Sequence, residues 1–410
     1  MDARAELIAL FREVVAALSA ERLVREACAS GRAPRPESGG RLAALGLGKA
    51  AAEMLAGARA ALGDALEALA VAVPAGAGGG PLIEGGHPLP DEGSLRAGEA
   101  LLSAASSLGS RDAVLLLVCG GGSSLAEAPK PPLTLEEIRA VNDALVRSGA
   151  PIEEMNCVRA HLSRLKGGGL ARALYAAGVR RARALVLVDV PQGGPAAVSS
   201  GPAAADPTTF ADAREIVRRR GIALPPRAAK LLAGGPSDET LKPGDPADFV
   251  EHVVLCDMRA PAEQAARLSP RPSRVGPLVC GSVEEVAREY MGAADRPGLL
   301  AASGEPELSV PSNAPPGGRA QHLALLMARA LRGRSAAFLA AGTDGRDGPT
   351  SATGATVDGS TWDDAERRGL RPAEALARFD AAACLSAIGA TIPAFRSGAH
   401  AGELHLLLTQ

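Results

Sequence analysis

The sequence predicts an α/β protein, with a large, doubly wound, mostly parallel sheet domain followed by a smaller α/β domain. Three observations carry this. Short apolar runs end in glycine or proline and read as buried strands. Helical stretches separate them, as the crossovers of a parallel sheet require. A Pro- and Gly-rich segment, "LPPRAAKLLAGGPSDETLKPGDPADF", then interrupts the alternation. The domain boundary is placed within it, giving residues 1–235 to the larger domain and 236–410 to the smaller.

In chain order, "MDARAELIALFREVVAALSAERLVREA" opens as an amphipathic helix, with acids in its first turns where a signal peptide would be basic. "RLAALGLG" is the first strand and runs into an alanine-rich helix, and "ALAVAVPA" is the second. The helix "LPDEGSLRAGEALLSAASSLG" has Asp91 near its start. "LTLEEIRAVNDALVRSG" has Thr134 three residues before Glu137, the spacing of a capping box. Between and after them, "AVLLLVCGG" and "ALVLVDVP" read as further strands. Past the boundary, "EHVVLC", "GPLVCGSV", "GLLAASGEPELSV" and "SAAFLAAGTDG" are expected strands of the second domain. No internal repeat is evident.

Composition excludes several classes. A net charge of −2 gives no basic footprint for nucleic acid. No apolar run is long enough to span a bilayer. Cys28, Cys119, Cys157, Cys256, Cys280 and Cys384 show no CxxC spacing. They are expected to be buried free thiols of a cytoplasmic protein.

Four strands end in polar, glycine-bearing turns, at 46–49, 120–124, 189–194 and 342–347. Ligands of open parallel sheets bind beyond the carboxyl ends of the strands, where helix N–H groups favour anions. Glycine after a strand is by itself only a tight turn; several on one sheet edge point to a phosphorylated ligand. Lysine adds weight. Of 44 basic residues five are lysine, and Lys49 sits at the first turn, where a compact point charge suits a phosphate. Gly46, Gly48 and Ala51 satisfy the dinucleotide fingerprint, but the second strand ends "VAVPAGAGGG", without the acid that holds a ribose. Asp189 and Asp344 close apolar strands and suit Mg²⁺, or else cap the turns that follow. His400 and His405 form no ligand cluster, and "GGGSSL" lacks the second glycine of a serine-hydrolase elbow. His87 reads as a turn residue.

Longer strings carry a resemblance. "GLGKAAAEM", "EGGHPLPDEGSLRAGEALL", "CGGGSSL", "RSGAPIEEMNCVRAHLSRLKGGGLA", "DVP", "SGP", "DPTTFADA", "LKPGDP", "GGRAQ" and "AGTDGRDGPTSATGA" resemble, in order, the glycerate 2-kinases of the MOFRL type. The resemblance spans about residues 40–360. It implies a Rossmann-like large domain, a MOFRL-like second domain and an active site in the cleft between them. It implies ATP-dependent phosphorylation of the 2-hydroxyl of D-glycerate or a related hydroxy acid, with ATP and Mg²⁺. Lys49, Arg319 and Asp189 would be catalytic, and Gly120, Gly121, Gly122, Ser123 and Ser124 would bind the nucleotide. Arg159, Ser163, Lys166 and Glu305 would bind substrate, and Asp189 and Asp344 the metal. The implied partners are a small hydroxy acid and a nucleotide, with no nucleic acid and no membrane, and the family suggests a cytoplasmic homodimer.

The departures are specific. Where the family continues "DVP" with Gly-Asp-Asp, this chain has Gln192, Gly193 and Gly194. Ala203 stands for a threonine of "SGPT", Pro306 and Glu307 for two threonines, Ala320 and His322 for Asn and Glu, and Ser351 for Asp. The family's closing polar string is reduced to "RSGAHAGELHLLL". These losses keep two alternatives beside phosphotransfer: a repurposed enzyme acting on a bulkier or more anionic substrate, without ATP, and a catalytically silent binding homologue.

Overall fold

The computed structural model describes residues 2–190, 194–234 and 239–410. Its contacts divide the chain into two units, residues 20–255 and residues 1–19 with 256–410. The expected boundary at 235/236 lies outside the described residues, and the division falls about twenty residues later.

The first unit is built on a six-stranded sheet of β1 (Leu42–Leu47), β2 (Leu66–Pro74), β3 (Leu82–Gly85), β4 (Ala113–Val118), β5 (Arg181–Leu187) and β6 (Glu251–Cys256). Its order is β3-β2-β1-β4-β5-β6, and β3, β2, β1, β4 and β5 run parallel. Leu47 pairs with both Ala72 and Val118, and Val118 with Val186, so these carboxyl ends stop in one row. Strand order reverses between β1 and β4, the position at which such sheets open a crevice. β1 and β4 are buried along their whole length, so they read as unbroken apolar runs. β6 is "EHVVLC", expected in the second domain; it adds to the edge of this sheet instead, beside β5.

Local signals place the helices here. Asp91 caps the helix Glu92–Ser106 through a reciprocal box with Ser94. Thr134 and Glu137 form the expected capping box on the helix Leu135–Arg147.

The second unit holds a mixed sheet of β7 (Ser273–Val275), β8 (Gly298–Gly304), β9 (Ala336–Gly342), β10 (Ala352–Asp358), β11 (Thr391–Pro393) and β12 (Glu403–Thr409). The order is β11-β10-β9-β12-β8-β7, antiparallel except for β7 with β8. "GPLVCGSV" is no strand; Val279 makes an isolated bridge to Gly304 and Ser282 one to Glu307, because Pro277 and two glycines interrupt its pairing. The opening helix α1 (Ala3–Ala17) belongs to this unit. Phe11 meets Phe395 edge to face at 6.2 Å, and Glu6 pairs with Arg271 at 2.8 Å. Among the described residues no helix is long and apolar enough to cross a membrane.

Candidate active site

The β1 and β4 turns of the first unit are laced together. Lys49 N–H donates to the Gly120 carbonyl at 2.8 Å, and Ala50 N–H to Cys119 Sγ at 3.3 Å. Gly48 has φ +132°, and a Cβ there would lie 2.3 Å from Cys119 Sγ. The chain therefore enters the helix Ala51–Leu62 with Lys49 exposed at its mouth and with Ala50 supplying no side-chain cap. Uncapped helix N–H groups beside a cation suit an anion.

Three consecutive glycines after β4 meet three different groups. A Cβ on Gly120 would lie 1.5 Å from Asp189 Oδ2, and one on Gly121 would lie 2.8 Å from Lys49 Cγ and 3.4 Å from His87 Cδ2. One on Gly122 would lie 2.3 Å from Ser199 Oγ. Bare backbone thus lies directly against a carboxylate, a lysine stem, an imidazole edge and a hydroxyl, so the absence of side chains at 120–122 lets these groups converge on one loop. Partial burial, and then the Lys49 charge, hold His87 below the usual histidine range.

A third wall comes from residues that sequence reasoning missed. Ser199 and Ser200 adopt φ of 53° and 59°, a region non-glycine residues occupy at a cost. Ser199 Oγ donates to the Cys119 carbonyl at 2.6 Å, and Ser200 Oγ to Asn156 Oδ1 at 2.8 Å. Ser123 Oγ lies 2.8 Å from Ser200 Oγ, and Ser124 Oγ turns back to the Gly121 carbonyl at 3.1 Å. "SGP" was visible as a string, but nothing in it signals a left-handed serine.

Arg159, Ser163 and Lys166 gather around Glu127, another residue sequence reasoning passed over. Lys166 Nζ pairs with Glu127 Oε2, both groups being almost wholly buried, and Ser163 Oγ donates to Glu127 Oε1 at 2.8 Å. Arg159 Nε donates to Asn142 Oδ1 at 2.8 Å. Burial pulls the Arg159 and Lys166 pKa values down while Glu127 opposes it. Ser163 and Lys166 also line a cavity of about 280 Å³ with Lys130, Arg172 and Thr240.

In the second unit, Arg319 opens the helix Arg319–Ala330. Its Nε donates to Glu403 Oε1 at 3.0 Å, and its Nη1 lies 3.7 Å from Glu305 Oε2. Asp344 is exposed, and its Oδ1 accepts Arg346 N–H at 3.0 Å, which is the capping role. Asp189 and Asp344 belong to different units. Asp189 stands at the glycine turn, which fits an ion completed by water and phosphate oxygens. Among the described residues, no group of three or more His, Cys, Asp or Glu is arranged to hold a metal. Of the departures, Gln192 and Gly193 lie outside the described residues; Ala203, Ala320 and His322 are buried and Ser351 is exposed. Cys280 is exposed, against expectation, because its segment forms no strand; the other five cysteines are buried and free.

Residues 6–233 match a family described as Domain of unknown function (DUF4147), and residues 298–401 match the MOFRL family. A protein of Agrobacterium vitis with the provisional name hydroxypyruvate reductase is 38% identical, over 72% of this chain and 70% of that protein. A D-glycerate 2-kinase of Thermotoga maritima is 34% identical, over 76% of each chain. The crystal structure of a glycerate kinase from Thermotoga maritima superposes with a TM-score of 0.89 at 30% identity, covering 99% of both chains. The chain belongs to the glycerate 2-kinase family of the MOFRL type.

Proposed function

We propose that the protein transfers the γ-phosphoryl group of ATP to the 2-hydroxyl of D-glycerate or a related hydroxy acid. The observation that carries this reading is the row of bare glycines 120–122, set against Lys49, Asp189 and Ser199 at the switch point of the sheet. Phosphoryl transfer asks a protein for positioning and for charge around the transferred oxygens. The 120–122 backbone and Ser123 receive the nucleotide phosphates, and Lys49 supplies a point charge to the phosphoryl group in flight. Asp189 is the residue to hold Mg²⁺, which supplies charge neutralisation at the phosphates. Arg159, anchored on Asn142, receives the acceptor's carboxylate, and Arg319 keeps the catalytic role that the family resemblance gives it. A nicotinamide reaction is less well supported, since β2 ends at Pro74 and the chain continues without an acid for the ribose.

The test is phosphorus NMR of purified protein with Mg²⁺, ATP and D-glycerate. A new 2-phosphoglycerate signal that falls about 10²–10³-fold in rate in Lys49→Ala supports the reading. A flat spectrum from folded protein overturns it.

A further inference from the structure

The last strand, β12, opens on a buried acid. Glu403 lies on β12, paired on both sides, and is 4% exposed; His405, two residues on, is 1% exposed. Both oxygens of Glu403 are engaged. Oε1 accepts Arg319 Nε–H at 3.0 Å, and Oε2 lies 3.1 Å from His405 Nε2. Behind the imidazole, Tyr290 OH lies 2.7 Å from His405 Nδ1. Burial pushes the Tyr290 hydroxyl well above its ordinary pKa, so it keeps its proton beside Nδ1. The opposite ring nitrogen, Nε2, faces Glu403, so the ring bridges the hydroxyl and the carboxylate.

Arg319 is anchored at its base by a buried group, while its side chain as a whole is 37% exposed. Its first helical turn is fixed separately. Asp347 accepts the N–H groups of Ala320 at 3.1 Å and Gln321 at 2.8 Å, and Gln321 Nε2 at 2.9 Å. The Glu403 contact uses the Nε–H edge of the guanidinium. Glu305 faces Nη1 at 3.7 Å, a second and looser ion pair on the same guanidinium. A guanidinium held in this way presents its terminal nitrogens in one orientation, the fork by which arginine recognises phosphate oxygens.

We propose that Glu403, braced by the His405–Tyr290 pair, is a positioning residue that fixes the Arg319 guanidinium for a phosphoryl group. The proposal rests on the phosphotransfer reading for what Arg319 does, though not for how it is held. Holding a group in productive geometry is worth one to two orders of magnitude, and outer-layer partners of a functional group carry effects of that size.

The experiment pairs spectroscopy with kinetics on the full chain. The Arg319 Nε–H signal is assigned in a proton–nitrogen spectrum by its loss in Arg319→Lys, then compared in Glu403→Gln and Tyr290→Phe. The expected result is an exchange-protected signal in the wild type that shifts and loses protection in Glu403→Gln and shifts in Tyr290→Phe. With ATP and D-glycerate, kcat should fall about 10–100-fold in Glu403→Gln while KM for the acceptor stays within about twofold. Glu403→Asp should recover part of the loss, since it restores the charge. An Arg319 signal indifferent to both variants overturns the proposal, as does wild-type kcat in Glu403→Gln where Arg319→Ala is impaired. Absence of phosphoryl transfer in the wild type removes the functional reading instead, and the spectra still decide whether Glu403 holds Arg319. If Glu403→Gln does not fold, Tyr290→Phe, which deletes one hydroxyl, carries both readouts.

Discussion

Adding one methyl group at position 120 places a carbon 1.5 Å from Asp189 Oδ2, so the carboxylate has to leave. Gly120→Ala should therefore lower the rate of phosphoryl transfer by about 10²-fold, the order expected when a positioned group is displaced. The cost in folding should be small, and thermal unfolding measured beside kcat separates the two. A wild-type kcat in that variant would show that Asp189 has no part in the reaction. A different residue-scale prediction concerns Lys166, whose charge is buried against Glu127. Glu127→Gln leaves an uncompensated cation in the interior and should cost about 3–5 kcal/mol, read by denaturant unfolding. The position of Lys49 at a strand end was legible in the sequence, where lysine is rare. Ser199, Ser200 and Glu127 were not. Their roles depend on a left-handed backbone and on partners far along the chain, and neither leaves a local pattern.

Helix starts show the same division at the next scale. Asp91 and Thr134 cap helices beginning at the following residue, so spacing alone announced them. The helix that carries Arg319 has no such signal: its acceptor is Asp347, 27 residues further on, on the turn after β9. The two acids respond to pH in opposite directions. Burial alone would raise Asp91, but the Ser94 and Gly86 N–H groups and the Ser94 hydroxyl outweigh it and leave its pKa lowered. Its stabilisation is present above the unfolded value and is lost as pH falls through the folded one. Burial first, and then the Glu403 charge, raise Asp347 from 3.8 to about 6 despite its hydrogen bonds. Across that window the folded chain keeps a proton that the unfolded chain has released. Stability attached to Asp347 is therefore full below the window and declines as pH rises through it. Asp347→Asn, which cannot ionise, should flatten the fall in stability between about pH 4 and 6, measured by urea midpoints at several pH values. An unchanged slope would show that Asp347 does not titrate there.

On the scale of the whole molecule, the strand that completes the second sheet is the last element of the chain. β12 lies between β9 and β8, pairs with both over its full length from Glu403 to Thr409, and is buried throughout. From sequence, its segment looked like the remnant of a polar family motif. A strand buried on both faces shows no alternation, and its pairing partners lie well over fifty residues upstream, so neither period nor neighbourhood identifies it. The first unit was more legible, because its parallel strands alternate with helices and end in glycine turns. Removing residues 403–410 takes away both ladders of β12 and separates β7 and β8 from β9, β10 and β11. It also removes the Glu403 contact to Arg319. A chain ending at residue 402 should therefore lose the fold of residues 256–402 while residues 20–255 stay folded, since their sheet and core are formed within that unit. Limited proteolysis followed by mass spectrometry reads this directly: cuts should spread through 256–402 and spare 20–255. Protection of both regions would mean that the second sheet closes without its central strand. With β9 and β8 sharing no other partner between them, that outcome would require β8 to pair directly with β9.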